Sequence, residues 1–189
     1  MILTDREIKI ALERDLIQID PPPDFDSAFS STAVDLTLDA NIITFKPPMK
    51  GIEQVIDPRQ ANLAEILPQL TRRQKIPAAG FLLAPRTLML AWTREFVGLN
   101  INTRLAARVE GKSSLARLGL GVHVTAPTIH AGFTGQIQLE MLNHGTIPIR
   151  LRPGMRICQL IFETTLGTPE RGYKGQFAGQ TAQAKKGSR

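Results

Sequence analysis

What most restricts this chain is a period of two, repeated in short runs that glycine or proline breaks each time. In "STAVDLTLD" the apolar Val34, Leu36 and Leu38 alternate with Asp35 and Thr37, the pattern of a strand with one face on a core and the other toward water. Further strands are predicted at Ile42 to Phe45, Phe81 to Ala84, Leu88 to Trp92, Leu105 to Val109, Val122 to Thr125, Gln136 to Met141, Ile147 to Leu151 and Met155 to Phe162. Many short strands punctuated by turn residues imply a mainly β protein, a sandwich or a barrel. At 189 residues there is room for one domain with a proper core and little room for two. The whole of 1–189 is therefore read as a single domain.

Helical signals are few. Thr4 and Glu7 have capping-box spacing, Leu3 and Ile8 sit where a hydrophobic staple would, and Ile8, Ala11 and Leu12 share one face. That helix is expected to end near Asp15. Three consecutive prolines in "DPPPDF" then remove backbone donors and hold their predecessors extended. "QANLAEILPQL" predicts one or two helical turns before Pro68. From about Gly167 the chain is rich in Gly, Gln and Lys and poor in large apolar residues, and is expected to form a mobile tail unless a ligand orders it.

Composition narrows the partners. Lys and Arg number 23 against 17 acidic residues, a formal +6, which suits an anionic partner (polyphosphate, nucleic acid or membrane surface) or serves solubility alone. Scattered cations and only 5% aromatic residues argue against nucleic-acid binding. One cysteine, Cys158, excludes an internal disulfide and any multi-cysteine metal site, and fits a reducing cytoplasm. The first residues are charged too early for a signal peptide, and no apolar run nears the ~18 residues of a membrane span.

Two stretches carry chemistry. In "GQIQLEM" alternation puts Ile137, Leu139 and Met141 on one face and Gln136, Gln138 and Glu140 on the other. Glu140 is thus a carboxylate on a rigid platform, fit for catalysis or equally for a solvated strand face. In "EGKSSLARLGLGVHVTA" glycines, Ser113, Ser114, Lys112 and Arg117 offer amides, hydroxyls and positive charge. They describe a phosphate cradle in general terms, or a capped turn with two exposed cations. The order is not that of a Walker A loop. His123 and His144 read as structural residues, and Trp92 as core.

Together with "IHAGFTGQIQLEMLN" and "IPIRLRPGMRICQLIFE", this last stretch closely resembles the dCTP deaminases of the dUTPase superfamily. The similarity is clear from about Gly80 to Glu163 and weaker over the first 45 residues. Lys112 replaces the arginine of the family's G-R-S-S-L-A-R-L-G-L signature. The resemblance implies a distorted jelly-roll barrel assembled as a homotrimer with sites between subunits, converting dCTP to dUTP and ammonia and so feeding dUMP and dTTP synthesis. It implies Glu140 as catalytic carboxylate, Ser113 and Arg117 assisting, and the backbone at Ala126 holding the water. Lys112, Ser113, Ser114, Leu115, Ala116 and Arg117 would contact phosphates, Gln138 would lie beside the base and His130 near the deoxyribose, and Leu139 would be a further substrate-binding residue. Tyr173 and Gln180 would close over the triphosphate with its Mg2+.

Zinc is not expected. Zinc deaminases need H-x-E with P-C-x-x-C, whereas His130 is followed by Ala131 and Gly132 and Cys158 has no partner. A side chain must then activate the water. Two departures stand out. His130 occupies the place where the family usually carries an aspartate, which in dUTPases activates the hydrolytic water, so a second step to dUMP is not expected. "YKGQFAGQ" is compressed relative to the family tail and leaves Lys174 a poor match. The alternatives are a bifunctional deaminase and diphosphatase giving dUMP, and a non-catalytic nucleotide-binding regulator on the same fold.

Overall fold

The computed structural model describes residues 1–48, 51, 55–57, 59, 62–173 and 179–183. Twelve strands and three helices are labelled here: α1 (Asp5–Glu13), β1 (Ile17–Asp20), β2 (Phe29–Ser30), β3 (Ala33–Phe45), α2 (Leu63–Leu70), β4 (Thr71–Lys75), β5 (Phe81–Leu83), β6 (Leu88–Leu99), β7 (Leu105–Gly111), α3 (Ser113–Ala116), β8 (Leu120–Gly121), β9 (Thr128–Ile129), β10 (Thr134–Asn143), β11 (Ile149–Leu151) and β12 (Arg156–Thr164). Seven strands run in the order β8-β10-β6-β3-β12-β7-β9. Along this path β1 adds to β6, and β2 and β4 add to β3, making a ten-stranded sheet. β5 and β11 form a separate pair.

Every pairing is antiparallel, so one face of each strand can line a core while the other meets water. Val34, Leu36 and Leu38 are fully buried, as their alternation predicts, and Ile137, Leu139 and Met141 join them in one cluster with Ile157, Leu160 and Phe162. This curled, mainly β architecture is the one expected.

Curling needs local breaks in the ladders, and polar side chains fill them. Pairing of β3 with β6 lapses between Leu38 and Ile42, and that of β10 with β6 shifts between Gln136 and Gln138. Such bulges bend strands and increase twist. Near the first break the buried Glu95 accepts from the Thr37 N–H at 2.8 Å and the Thr37 hydroxyl at 2.6 Å. At the second, the buried Thr93 hydroxyl accepts from the Ile137 N–H at 3.0 Å and donates to the Glu95 carbonyl at 2.9 Å. Both side chains supply hydrogen bonds that the interrupted ladder cannot, which a buried backbone requires.

Several expectations need correction. α1 itself ends as expected near Asp15, its last helical residue being Glu13 and its C-cap Arg14, with Asp15 left-handed at φ 55°. Thr4 donates its hydroxyl to the Glu7 carboxylate instead of capping a backbone N–H. The helix predicted to end before Pro68 runs through it to Leu70: the Gln69 amide and Thr71 hydroxyl donate back to the carbonyls of Glu65 and Leu67, at 3.1 and 2.6 Å, and hold the last turn. β1 and β4 were not expected. β4, "TRRQK", lacks an apolar alternation and is a strand because the edge of β3 from Asn41 to Phe45 pairs with it. The strands predicted at Leu88 and at Ile42 extend much further than their apolar cores, because ladder pairing carries them across polar residues.

Val122 to Thr125 is not a strand. The chain leaves β8, paired with β10, and crosses to β9, paired with β7, so these residues belong to neither ladder. The tail expected to be mobile is seated on the body at residues 179–183, with Ala182 3% exposed; Lys174 and the charged end at Lys185, Lys186 and Arg189 lie outside the described residues. Among the described residues no helix is long and apolar enough to cross a membrane.

Candidate active site

Of the several hollows among the described residues, two differ sharply in their suitability for a nucleotide. The larger, about 550 Å³ beside α1 and β1, is lined by Glu13, Asp15 and Asp20 among prolines and Phe25. Three carboxylates in one hollow repel a polyphosphate. The other, about 280 Å³, is walled by β10, the loop from His123 to Ala126, the turn at His130 and the C-terminal segment. Of these two, the second has chemistry suited to a nucleobase.

β10 supplies the floor. Its register with β6 sets Gln138 opposite Trp92 and Glu140 opposite Leu90, and directly opposed residues share a face with their Cβ atoms ~5 Å apart. Ile43 stands opposite Leu90 in turn. Glu140 thus rises from a row of apolar neighbours, and burial raises the pKa of its carboxyl group above the ordinary glutamate value. The backbone groups of Glu140 and Val124 and the His123 ring oppose this shift in part. A perturbed carboxylate in a cleft is a recurrent mark of function.

Of the residues singled out in the sequence, Ala126, His130, Gln138, Leu139, Glu140, Tyr173 and Gln180 all line this cavity. The His130 and Tyr173 rings stack at 5.5 Å between centroids, 16° from parallel, and the Tyr173 N–H donates to the Ala131 carbonyl at 3.2 Å. His123, read as structural, also lines the cavity, and its Nδ1 is buried with no hydrogen-bond partner among the described residues. Thr128 and Phe133 join the lining as well. Their only sequence signal is nearness to His130 and to "VHVTA", because the crossing from β8 to β9 brings them together.

Lys112 to Arg117 stand apart. Ser113, Ser114 and Ala116 on α3 and Arg117 at its C-terminal cap are exposed, outside the cavity. Lys112 Nζ lies 2.5 Å from Asp35 Oδ1, and Arg156 Nη1 is 3.8 Å from Oδ2 of the same carboxylate. The turn that follows is tight: Gly119 has φ +90°, and a Cβ there would lie 2.5 Å from the Gly145 nitrogen, so the glycine is obligatory. Asn143, wholly buried, accepts from the Gly145 N–H at 2.9 Å and donates to the carbonyls of Leu83 and Ile147 at 3.0 and 2.9 Å, pinning the facing turn.

A family model described as dCTP deaminase-like matches residues 2–165. The chain belongs to this family. Among curated relatives, the "dCTP deaminase, dUMP-forming" of Methanothermobacter thermautotrophicus is 37% identical over 185 residues, covering 95% of this chain and 90% of its own. The "dCTP deaminase" of a Marinomonas species is 39% identical over 176 residues, covering 92% and 88%. The crystal structure of 2'-deoxycytidine 5'-triphosphate deaminase from Agrobacterium tumefaciens superposes with a TM-score of 0.64 at 23% identity, over 86% of this chain. This member of the dCTP deaminase-like family spans about half of that solved chain, 48%. The likeness carries the fold.

Proposed function

We propose that this chain hydrolyses dCTP to dUTP and ammonia, with Glu140 as general base and then general acid. The observation that carries the reading is a half-buried carboxylate, poised by burial, on a rigid strand beside Gln138 in a nucleobase-sized cavity. Water held near Glu140 and the backbone at Ala126 gives a proton to the carboxylate as its oxygen adds to C4 of cytosine. Glu140 passes this proton to N3, then takes the proton of the new C4 hydroxyl and gives it to the 4-amino group. The C4–N bond breaks, ammonia leaves and a carbonyl remains, so that water and dCTP balance dUTP and ammonia. Gln138 has the donor and acceptor needed to read the base edge.

Ser113 and Arg117 belong to the same reading only if a second copy of the chain brings its α3 to this cavity, since within one chain α3 lies outside it. A homotrimer with the site between subunits is therefore part of the proposal, as are a single domain over the whole chain and a cytoplasmic setting. Among the described residues no group of three or more His, Cys, Asp or Glu is placed to hold a metal ion. In this reading Mg2+ arrives on the phosphate oxygens of the substrate, where it would neutralise charge.

A second reading goes one step further, to dUMP and pyrophosphate. The names of several relatives favour it. His130 argues against it, because an imidazole replaces the family aspartate that would activate the second water. Incubation with dCTP and Mg2+ distinguishes them. Ammonia and dUTP in equal amounts support the first reading, dUMP with pyrophosphate the second, and unchanged dCTP overturns both.

A further inference from the structure

The outer face of β6 and β10 carries a small apolar cluster separate from the main core. Ile43, Leu90 and Trp92 are buried there, Leu67 of α2 packs against them, and the fourth buried member is Ala182 from the C-terminal segment. A single methyl group gives little driving force for docking. Hydrogen bonds complete it. The Ala182 N–H donates to Gln136 Oε1 at 2.6 Å, and its carbonyl accepts from Arg73 Nη1 at 3.0 Å.

Both partners are themselves held. Gln136 Nε2 donates to the carbonyls of Thr93 at 2.9 Å and Arg94 at 3.3 Å, which turns its oxygen toward the tail. The Arg73 guanidinium lies 5.2 Å from the centre of the Trp92 ring, a cation–π contact. Just before Ala182 the tail runs along β10: the Gly179 N–H donates to the Thr134 carbonyl at 2.9 Å and the Gln136 N–H to the Gln180 carbonyl at 3.0 Å. A Cβ on Gly135 would sit 2.8 Å from that Gln180 carbonyl, so the strand leaves room for the passing backbone.

We propose that Arg73, Trp92 and Gln136 form an anchor that seats the chain's own tail and thereby holds Gln180 at the mouth of the nucleotide cavity. Trp92 stands opposite Gln138 and Leu90 opposite Glu140, so the anchor and the candidate carboxylate occupy one sheet face, and Gln180 lines the cavity two residues before the anchored alanine. Arg73 is a positioning residue: it touches the tail and not the cavity. It comes from β4, so the segment inserted between β3 and β5 acquires a role at a site it does not line. The kinetic part of this inference rests on the dCTP reading; the docking part does not.

Trp92 is the sole tryptophan, so its fluorescence reports docking independently of catalysis. In the 189-residue chain, Ala182→Glu places a carboxylate against the apolar cluster. Its Trp92 emission is expected to shift to the red and become more accessible to acrylamide, and tryptic cleavage at Arg171 to accelerate about tenfold. A hydrogen bond from a charged donor supports a change of that order. Apparent KM for dCTP should rise about tenfold with kcat within about threefold, the signature of lost nucleotide retention. Arg73→Met, at an exposed side chain, should reproduce the proteolysis and the KM change, and the double variant should be no worse than Ala182→Glu alone, because both release one segment. Unchanged emission and cleavage in both single variants overturns the anchor. A released tail with unchanged KM overturns its role in nucleotide retention. If the unmodified protein turns over no dCTP, the functional reading fails, while emission and cleavage still decide the anchor.

Discussion

Glu140 on β10 stands directly across from Leu90 on β6, and Leu90 in turn from Ile43 on β3. A carboxylate is thereby set at the end of an apolar row, facing a cavity. Burial favours its protonated form and raises its pKa above the ordinary glutamate value, while the backbone groups of Glu140 and Val124 and the His123 ring oppose the shift in part. A group so balanced can take a proton from water and give it back.

Glu140→Gln preserves shape and removes the base. Turnover of dCTP should fall at least ~10²- to 10⁴-fold, the usual worth of general acid-base catalysis, while the nucleotide still binds, as read by calorimetry. Turnover within a few fold of the unmodified protein would show that another group activates the water.

The pH dependence follows from the direction of the shift. Glu140 must be ionised to act as base, so kcat/KM should decline on acidification at a pH above the ordinary glutamate range. For stability the sign is the reverse. A folded value raised above the unfolded one means a favourable contribution, present in full below the unfolded pKa and lost as pH rises through the folded value. At neutral pH the ionised carboxylate is therefore held at a penalty that Glu140→Gln lacks. The variant should melt higher near neutrality, with the gap closing as the pH falls below the ordinary glutamate range, in thermal melts across a pH series.

Asp35 joins two cations, Lys112 at the start of the exposed turn and Arg156 on β12, and its side chain is only 12% exposed. Asp35→Asn leaves Lys112 without its counter-charge in a part-buried setting. Stability to urea should drop by about 1–3 kcal/mol, the range for removing one partner of a buried polar contact.

Cys158 is wholly buried between β3 and β7, and burial, with smaller contributions from Glu95 and Asp35, pushes its thiol far above the usual range, against a small opposing effect of Lys112. The thiolate is the reactive form. Alkylation by iodoacetamide should be negligible in the folded protein and stoichiometric in denaturant, as counted by mass spectrometry. Rapid labelling of the native chain would contradict this burial.

Sequence by itself determined which way side chains face. Val34, Leu36 and Leu38 on β3, and Ile137, Leu139 and Met141 on β10, could be assigned to the core because neighbours in an extended chain point to opposite sides whatever lies beyond. The same local rule put Gln138 and Glu140 together on the other face, and the quoted motifs gave the family that the comparisons bear out. Sequence could not say what pairs with what. "TRRQK" is a strand because β3 offers it an edge, and Val122 to Thr125, alternating as well as many strands, lies between two ladders. Tertiary structure alone decided that Leu90 faces Glu140, that His123 and Phe133 join the same cavity, and that Ala182 lies buried against Trp92 under Arg73. Each depends on register or on where the chain crosses between ladders, which no run of adjacent residues encodes.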